Sequence, residues 1–423
     1  MSPEGPAARG GRSLPTLCAG LLLCTGSVIP EVARAKDSLT VDLSAGLQAS
    51  TNPDLGTSSN GAIGGQVGAA ANYRIVESRT TVNLSAATNA STYFDGRKSD
   101  WSAGGSANLQ HRASQTVSIG LEGHYNYTRT NGGVYPLYNT GLGATPAGST
   151  PAETTPTAPI IPPPVGVPLP PDVTLVGRAL TERSFGGSIN LQVRTSARST
   201  LSLSGDANRV TYNDPLLSNY RSFGQAVSFS RLISEATTVT AQTRVTETRY
   251  DNGEHDTIIT PMIGVTRKLS RVLDLSVYGG ASIVRSRLPD GTRLHSSTLA
   301  LSGNICGTYE RSKLCINASR QETPTAFGGV RPVTSLGVSY FDRLNTNDTL
   351  SLSGQIDRSG RDTRRLFAAQ TSAQGTARYD HRLSDRLSLF GSAQYVRLWQ
   401  SGTPARSDLR GVVGIALRLG DKA

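Results

Sequence analysis

From about residue 38 to residue 420 the chain alternates apolar with small polar residues at a period of two, in short segments bounded by turn residues. A period of two is the mark of a strand with one buried or lipid-facing side. In residues 38–51, Leu39, Val41, Leu43, Ala45 and Leu47 fall on one face, and Thr40, Asp42, Ser44, Gly46 and Gln48 on the other. The segment 406–420 repeats the scheme, with Leu409, Val413, Ile415, Leu417 and Leu419 opposed to Arg410, Gly414 and Arg418. Reading each segment this way predicts nine hairpins. They are 38–51 with 61–76, 80–94 with 100–113, 116–130 with 181–196, 199–213 with 220–234, and 237–251 with 255–270. The remaining four are 273–289 with 294–309, 312–326 with 330–345, 348–362 with 366–382, and 385–402 with 406–420.

Eighteen strands with one apolar face each suit an all-β fold, a transmembrane antiparallel up-and-down β-barrel of about 18 strands, with 16–18 as the expected range. Only a closed barrel lets strands cross a bilayer with every backbone group paired. The apolar face must then meet lipid. Aromatic residues on that face (Tyr73, Trp101, Tyr125, Tyr127, Phe229, Tyr340, Tyr379, Tyr395 and Trp399) fall near strand ends, where interfacial girdles form. A soluble stack of sheets is the competing reading.

Eight arginines, Arg74, Arg112, Arg194, Arg231, Arg267, Arg311, Arg343 and Arg382, precede short polar turns that join one hairpin to the next. Short turns belong to the periplasmic side and longer loops to the outside. The recurrent arginine is therefore expected at the periplasmic rim, as a girdle reaching lipid phosphates.

Composition agrees with this picture. Hydrophobic residues make up 37%, Gly is abundant at 45 and Met scarce at 2. Residues 1–35 read as a secretory signal: Arg9 and Arg12 open it, Leu14 to Ile29 form the apolar stretch, and Ala33-Arg34-Ala35 the cleavage site. The mature barrel would then be 36–423. Residues 131–180 hold half the prolines and form a low-complexity insert after the fifth strand, expected as an extracellular loop that either plugs the mouth or, as the favoured reading, extends into the medium. Cys306 and Cys315 sit at directly opposed positions of one hairpin, which makes them a candidate disulfide in an oxidising compartment.

The net charge of +11 is concentrated at rims and loops. Parity assigns a mixed set of charges to the lumen: Arg74, Arg194, Arg244, Arg378, Arg410 and Arg418 with Asp42, Glu122, Asp206, Asp274 and Asp357. Most other inward positions are Ser, Thr, Asn, Gln or Gly, a wall that suits carbohydrate, other hydrophilic solutes or water. Charge rings in a bore would set ion preference. Glu122 and His124 share the lumen face and form the only acid–base pair worth weighing. With no phosphate loop, zinc signature or redox motif, no enzyme, cofactor or metal is expected. The export signal and barrel pattern argue against nucleic acid as a partner.

The repeated hairpin with its Arg-turn-Ser/Thr signature, as in SFSRLISEATTVTAQ and YDHRLSDRLSLFGSA, resembles a family of outer-membrane β-barrel porins often associated with exopolysaccharide gene clusters. The resemblance covers about 37–420. It implies a cell outer-membrane location and export of an extracellular polysaccharide. Outer-membrane lipid, the barrel-assembly machinery and periplasmic polysaccharide-export proteins would be the partners. One departure stands out: many such barrels end on an aromatic residue, whereas this chain ends LRLGDKA. A passive porin for small hydrophilic solutes is the alternative, and a structural or adhesive barrel displaying the Pro-rich loop is the third reading.

Overall fold

A computed structural model describes residues 36–57, 60–131, 172–360 and 369–420. The proposed signal 1–35, most of the Pro-rich insert and residues 361–368 lie outside the described residues.

Eighteen strands follow one another along the chain. They are β1 (Lys36–Ser50), β2 (Ala62–Val76), β3 (Thr80–Tyr93), β4 (Asp100–Arg112), β5 (Val117–Asn131) and β6 (Ala179–Ser196). Then come β7 (Ser199–Tyr212), β8 (Tyr220–Ser234), β9 (Thr237–Tyr250), β10 (His255–Lys268), β11 (Leu273–Arg287) and β12 (Arg293–Thr308). The last six are β13 (Ser312–Pro324), β14 (Val330–Arg343), β15 (Asp348–Ser359), β16 (Gln370–Arg382), β17 (Leu387–Gln400) and β18 (Arg406–Gly420). Each pairs antiparallel with its sequence neighbours. β1 also pairs with β18, from Thr40 opposite Gly420 to Ser50 opposite Arg410. That last pairing closes the sheet. The fold is an 18-stranded antiparallel barrel without edges.

Closure turns the period-2 pattern into an inside and an outside. Leu43 lies opposite Leu417 and Ala69, so apolar positions meet apolar positions across each seam. Leu47, Ile63, Val67 and Val413 are 58–72% exposed on the outer wall. A continuous exposed apolar belt on a closed, even-stranded antiparallel barrel is what an outer-membrane location requires. No helix among the described residues is long and apolar enough to cross a membrane, and the strands cross instead.

Two register shifts occur, between Arg194 and Ser196 on β6 and between Leu232 and Ser234 on β8. Both sit at the ends next to short turns, so the inward set of each strand keeps its parity over most of its length. The recurrent arginine does not form one girdle. Register puts Arg231 and Arg267 on the lipid face, while Arg74, Arg112, Arg194 and Arg382 share the face of the inward residues. The mixed parity follows from where the arginine sits relative to its turn: Arg112 and Arg382 are the last residues of their strands, whereas Arg267 is the last but one.

Candidate functional site

The bore is lined by the polar half of every strand, and four of its arginines, Arg244, Arg378, Arg410 and Arg418, lie against carboxylates. Arg418 Nε donates to Asp42 Oδ1 at 2.7 Å across the β1–β18 seam, where the two residues are direct register partners. Arg244 Nη2 donates to Asp206 Oδ1 at 2.6 Å, and Arg244 Nε to Thr246 Oγ1 at 3.2 Å. That ion pair spans β7 to β9 and passes over Gly224 on β8. A Cβ there would collide with the Asp206 carboxylate and lie 2.6 Å from Arg244 Nη2. Arg378 is clamped on one strand by Asp380 at 2.7 Å and lies over the Phe390 ring at 4.5 Å.

Nearer the outer end, Arg410 is 3.7 Å from Asp408, a carboxylate with 1% exposure. Asp408 Oδ1 accepts from Ser50 Oγ at 2.6 Å and from the Asn52 amide at 2.9 Å, pinning the start of the β1–β2 loop. Asp357 accepts from Ser335 Oγ at 2.6 Å and Gln355 Nε2 at 2.7 Å. Towards the opposite end, Asp274 lies across from Lys268 and Cys306, Arg74 from Ser38 and Asn83, and Arg194 from Thr200. Glu122 faces Asn108 and Ser188, and His124 faces Ser106 and Gly186. Among the described residues no hydrogen bond joins Glu122 to His124, so the acid–base pair is not assembled. No group of three or more metal-ligating side chains comes together among them either. Cys306 and Cys315 are joined by a disulfide with a Cα–Cα distance of 4.1 Å.

At the outer mouth, the end of the Pro-rich insert turns inward. Its last residues form a short 3-10 turn, Val173–Leu175, that packs against β15 and β16. The insert is tethered to β6, and β15 is nine strands away in either direction around the wall. The segment therefore crosses the mouth.

Leu175 and Val176 join a buried apolar cluster with Leu55 of the β1–β2 loop, Leu217 of the β7–β8 loop and Ala326 of the β13–β14 loop. Leu180, Val333, Val396 and Leu398 complete it from the walls. Burying a large aliphatic side chain is worth about 1.5–3 kcal/mol, so the cluster is enough to hold four loops together. Polar ties reinforce it. The Ala326 amide donates to Asp172 Oδ2 at 2.6 Å, the Ser218 amide to the Ala326 carbonyl at 2.6 Å, and Tyr250 Oη to the Gly329 carbonyl at 2.8 Å. Arg406 Nη1 donates to the Leu55 carbonyl at 3.3 Å, and Arg178 lies over the Phe327 ring at 4.6 Å.

Asp172 also accepts from the Thr174 amide and hydroxyl. Burial pushes its carboxyl above the usual 3.8, and those hydrogen bonds and the nearby Arg331 charge pull it only part of the way back. None of these mouth residues was legible as functional. Leu55, Leu175, Leu217 and Ala326 lie in loops, with no period-2 pattern to mark them.

No protein-family model matches the chain, and no curated protein matches it. Among solved structures, Pseudomonas aeruginosa OccK9 (OpdG) is similar over 90% of this chain and 98% of its own, with 12% identity and a TM-score of 0.45. Pseudomonas aeruginosa OccK2 (OpdF) in complex with glucuronate covers 91% and 98%, with 12% identity and a TM-score of 0.44. The FrpB iron transporter from Neisseria meningitidis covers 91% and 81%, with 8% identity and a TM-score of 0.42. The architecture assigned to this chain rests on the β1–β18 closure and the exposed apolar belt, not on these likenesses.

Proposed function

We propose that the chain is a passive outer-membrane channel for small hydrophilic solutes, with a mouth narrowed by its own loops. The observation that carries this reading is the crossing of the outer mouth by residues 172–178, above a bore lined by hydroxyls, amides and ion-paired arginines. A wall in which Arg244, Arg378, Arg410 and Arg418 are locally neutralised screens more by size and polarity than by one sign of charge. The inward fold of four loops favours small cargo over a continuous polymer chain. Export of a polysaccharide, the reading implied by the family resemblance, gains no support of its own from the bore.

Reconstitution separates the two. A diffusion channel gives steady single-channel conductance in planar bilayers, and liposomes carrying it swell in isosmotic solutions of small sugars but not of oligosaccharides. Absence of conductance, with loss of secreted polymer on deletion in the native host, would overturn the proposal and restore export.

A further inference from the structure

The strand register exposes a pattern that the chain order hides. At the outer ends of six adjacent strands, Arg209 lies opposite Arg221, Arg221 opposite Arg249, Arg249 opposite His255, His255 opposite Arg287, and Arg287 opposite Arg293. These positions share the face of Phe223, Val227, Ile259 and Ile283, the lipid-facing wall of β7 to β12. Below Arg287, Arg285 lies opposite His295 as the start of a second row.

Cβ atoms at directly opposed positions sit about 5 Å apart, and like charges there destabilise a sheet. Among the described residues, Glu247 is the one carboxylate in ion-pair range of this row, at 3.8 Å from Arg249 and 3.9 Å from His255. A single acid cannot balance five arginines. The facing flank carries nothing comparable: in one row β18, β1, β2 and β3 present Gly411, Ala49, Ile63 and Phe94. The charge is therefore one-sided, and it calls for external anions.

The geometry points to a binding site for the multiply phosphorylated, acylated glycolipid of the outer leaflet, of the lipid A type, on the β7–β12 flank. Three features fit that amphiphile. The guanidinium row lies at the long-loop ends, at the level of outer-leaflet head groups, and guanidinium is the side chain best matched to phosphate oxygens. Phe223 lies one step beneath the row, and an apolar wall of Val245, Ile259 and Ile283 begins two steps beneath it. Further down, Pro261 interrupts the β10–β11 ladder, whose pairing skips from Ile259–Ile283 to Met262–Gly280. Beside it lies a groove of about 650 Å³ on the outer wall, lined by Phe229, Ile263, Ala241, Pro261, Gly279 and Ala281. The groove lies about 15–20 Å below the row along the tilted strands, where acyl-chain ends come to rest. The proposal rests on the membrane placement of the wall and is independent of what passes through the bore.

Native mass spectrometry of the purified full-length barrel, titrated with hexa-acyl bisphosphoryl lipid A, monophosphoryl lipid A or phosphatidylglycerol, tests it. Bisphosphoryl lipid A is expected to bind tightest, and its affinity to fall at least about tenfold in Arg221→Gln/Arg249→Gln/Arg287→Gln. The control Arg358→Gln/Arg397→Gln, which alters two arginines of another flank, should bind as the parent does. Heat-modifiable gel mobility checks that each variant is a closed barrel. Equal affinity for phosphatidylglycerol and bisphosphoryl lipid A, or an equal loss in the control, would overturn the assignment. Should the triple variant fail to close, the parent alone decides: no preference for two phosphates over one refutes the site.

Discussion

Arg244 on β9 reaches over the full width of β8 to meet Asp206 on β7, with 2.6 Å between Nη2 and Oδ1. The bridge exists because Gly224, beneath it, offers no side chain. Asp206→Asn removes the acid and leaves the guanidinium facing the bore. The reversal potential in a KCl gradient is expected to move towards anions, with a permeability ratio changed by about twofold. No shift would mean that this pair lies off the conduction path.

Opening the mouth should be the most direct test of the constriction. Leu175 is fully buried in the apolar cluster, so Leu175→Asn places an amide where it has no designed partner. The cost, about 1–3 kcal/mol, weakens docking of the loop. Single-channel conductance is expected to rise, while barrel stability in denaturant stays near that of the parent. A fall in stability with unchanged conductance would place the cluster in the scaffold and not in the gate.

Acid should tighten the mouth. Burial raises the Asp172 carboxyl above 3.8, so the docked loop holds that proton more firmly than the released loop does. Docking is then fully favoured below the released value and weakens as pH rises through the docked one. Conductance measured from neutral pH down through the carboxylate range should decline. Asp172→Ala, which also frees the Ala326 amide, should conduct more and lose most of that dependence.

The Cys306–Cys315 bridge offers a chemical check on the register of β12 and β13. Protein unfolded without reductant is expected to resist alkylation at both positions and to take two labels after reduction. Labelling before reduction would show that the two thiols are free in the barrel as isolated.

The strands were legible because lipid imposes the same rule on every one of them: an apolar residue at each second position. The lumen charges were legible for the same reason, one face at a time. Their pairing was not. Asp42 and Arg418 meet only because the first strand closes on the last, 376 positions away along the chain. Asp380 and Asp408, which hold Arg378 and Arg410, belonged to the same inward sets but were passed over, because parity says nothing of contact. The arginine row on the outer wall was hidden more deeply. Each member is a single exposed arginine or histidine in its own strand, and only the register lines them up. Loops follow no such rule, and the inward fold of residues 172–178 depends on contacts with three other loops.

The seam between β1 and β18 also dictates an order of events. Until the final segment arrives, the growing sheet has two raw margins that bilayer lipid cannot satisfy. Any polypeptide stopped short of Arg406 would remain an unsealed ribbon, dependent on chaperones and open to proteases, however complete its other seventeen staves.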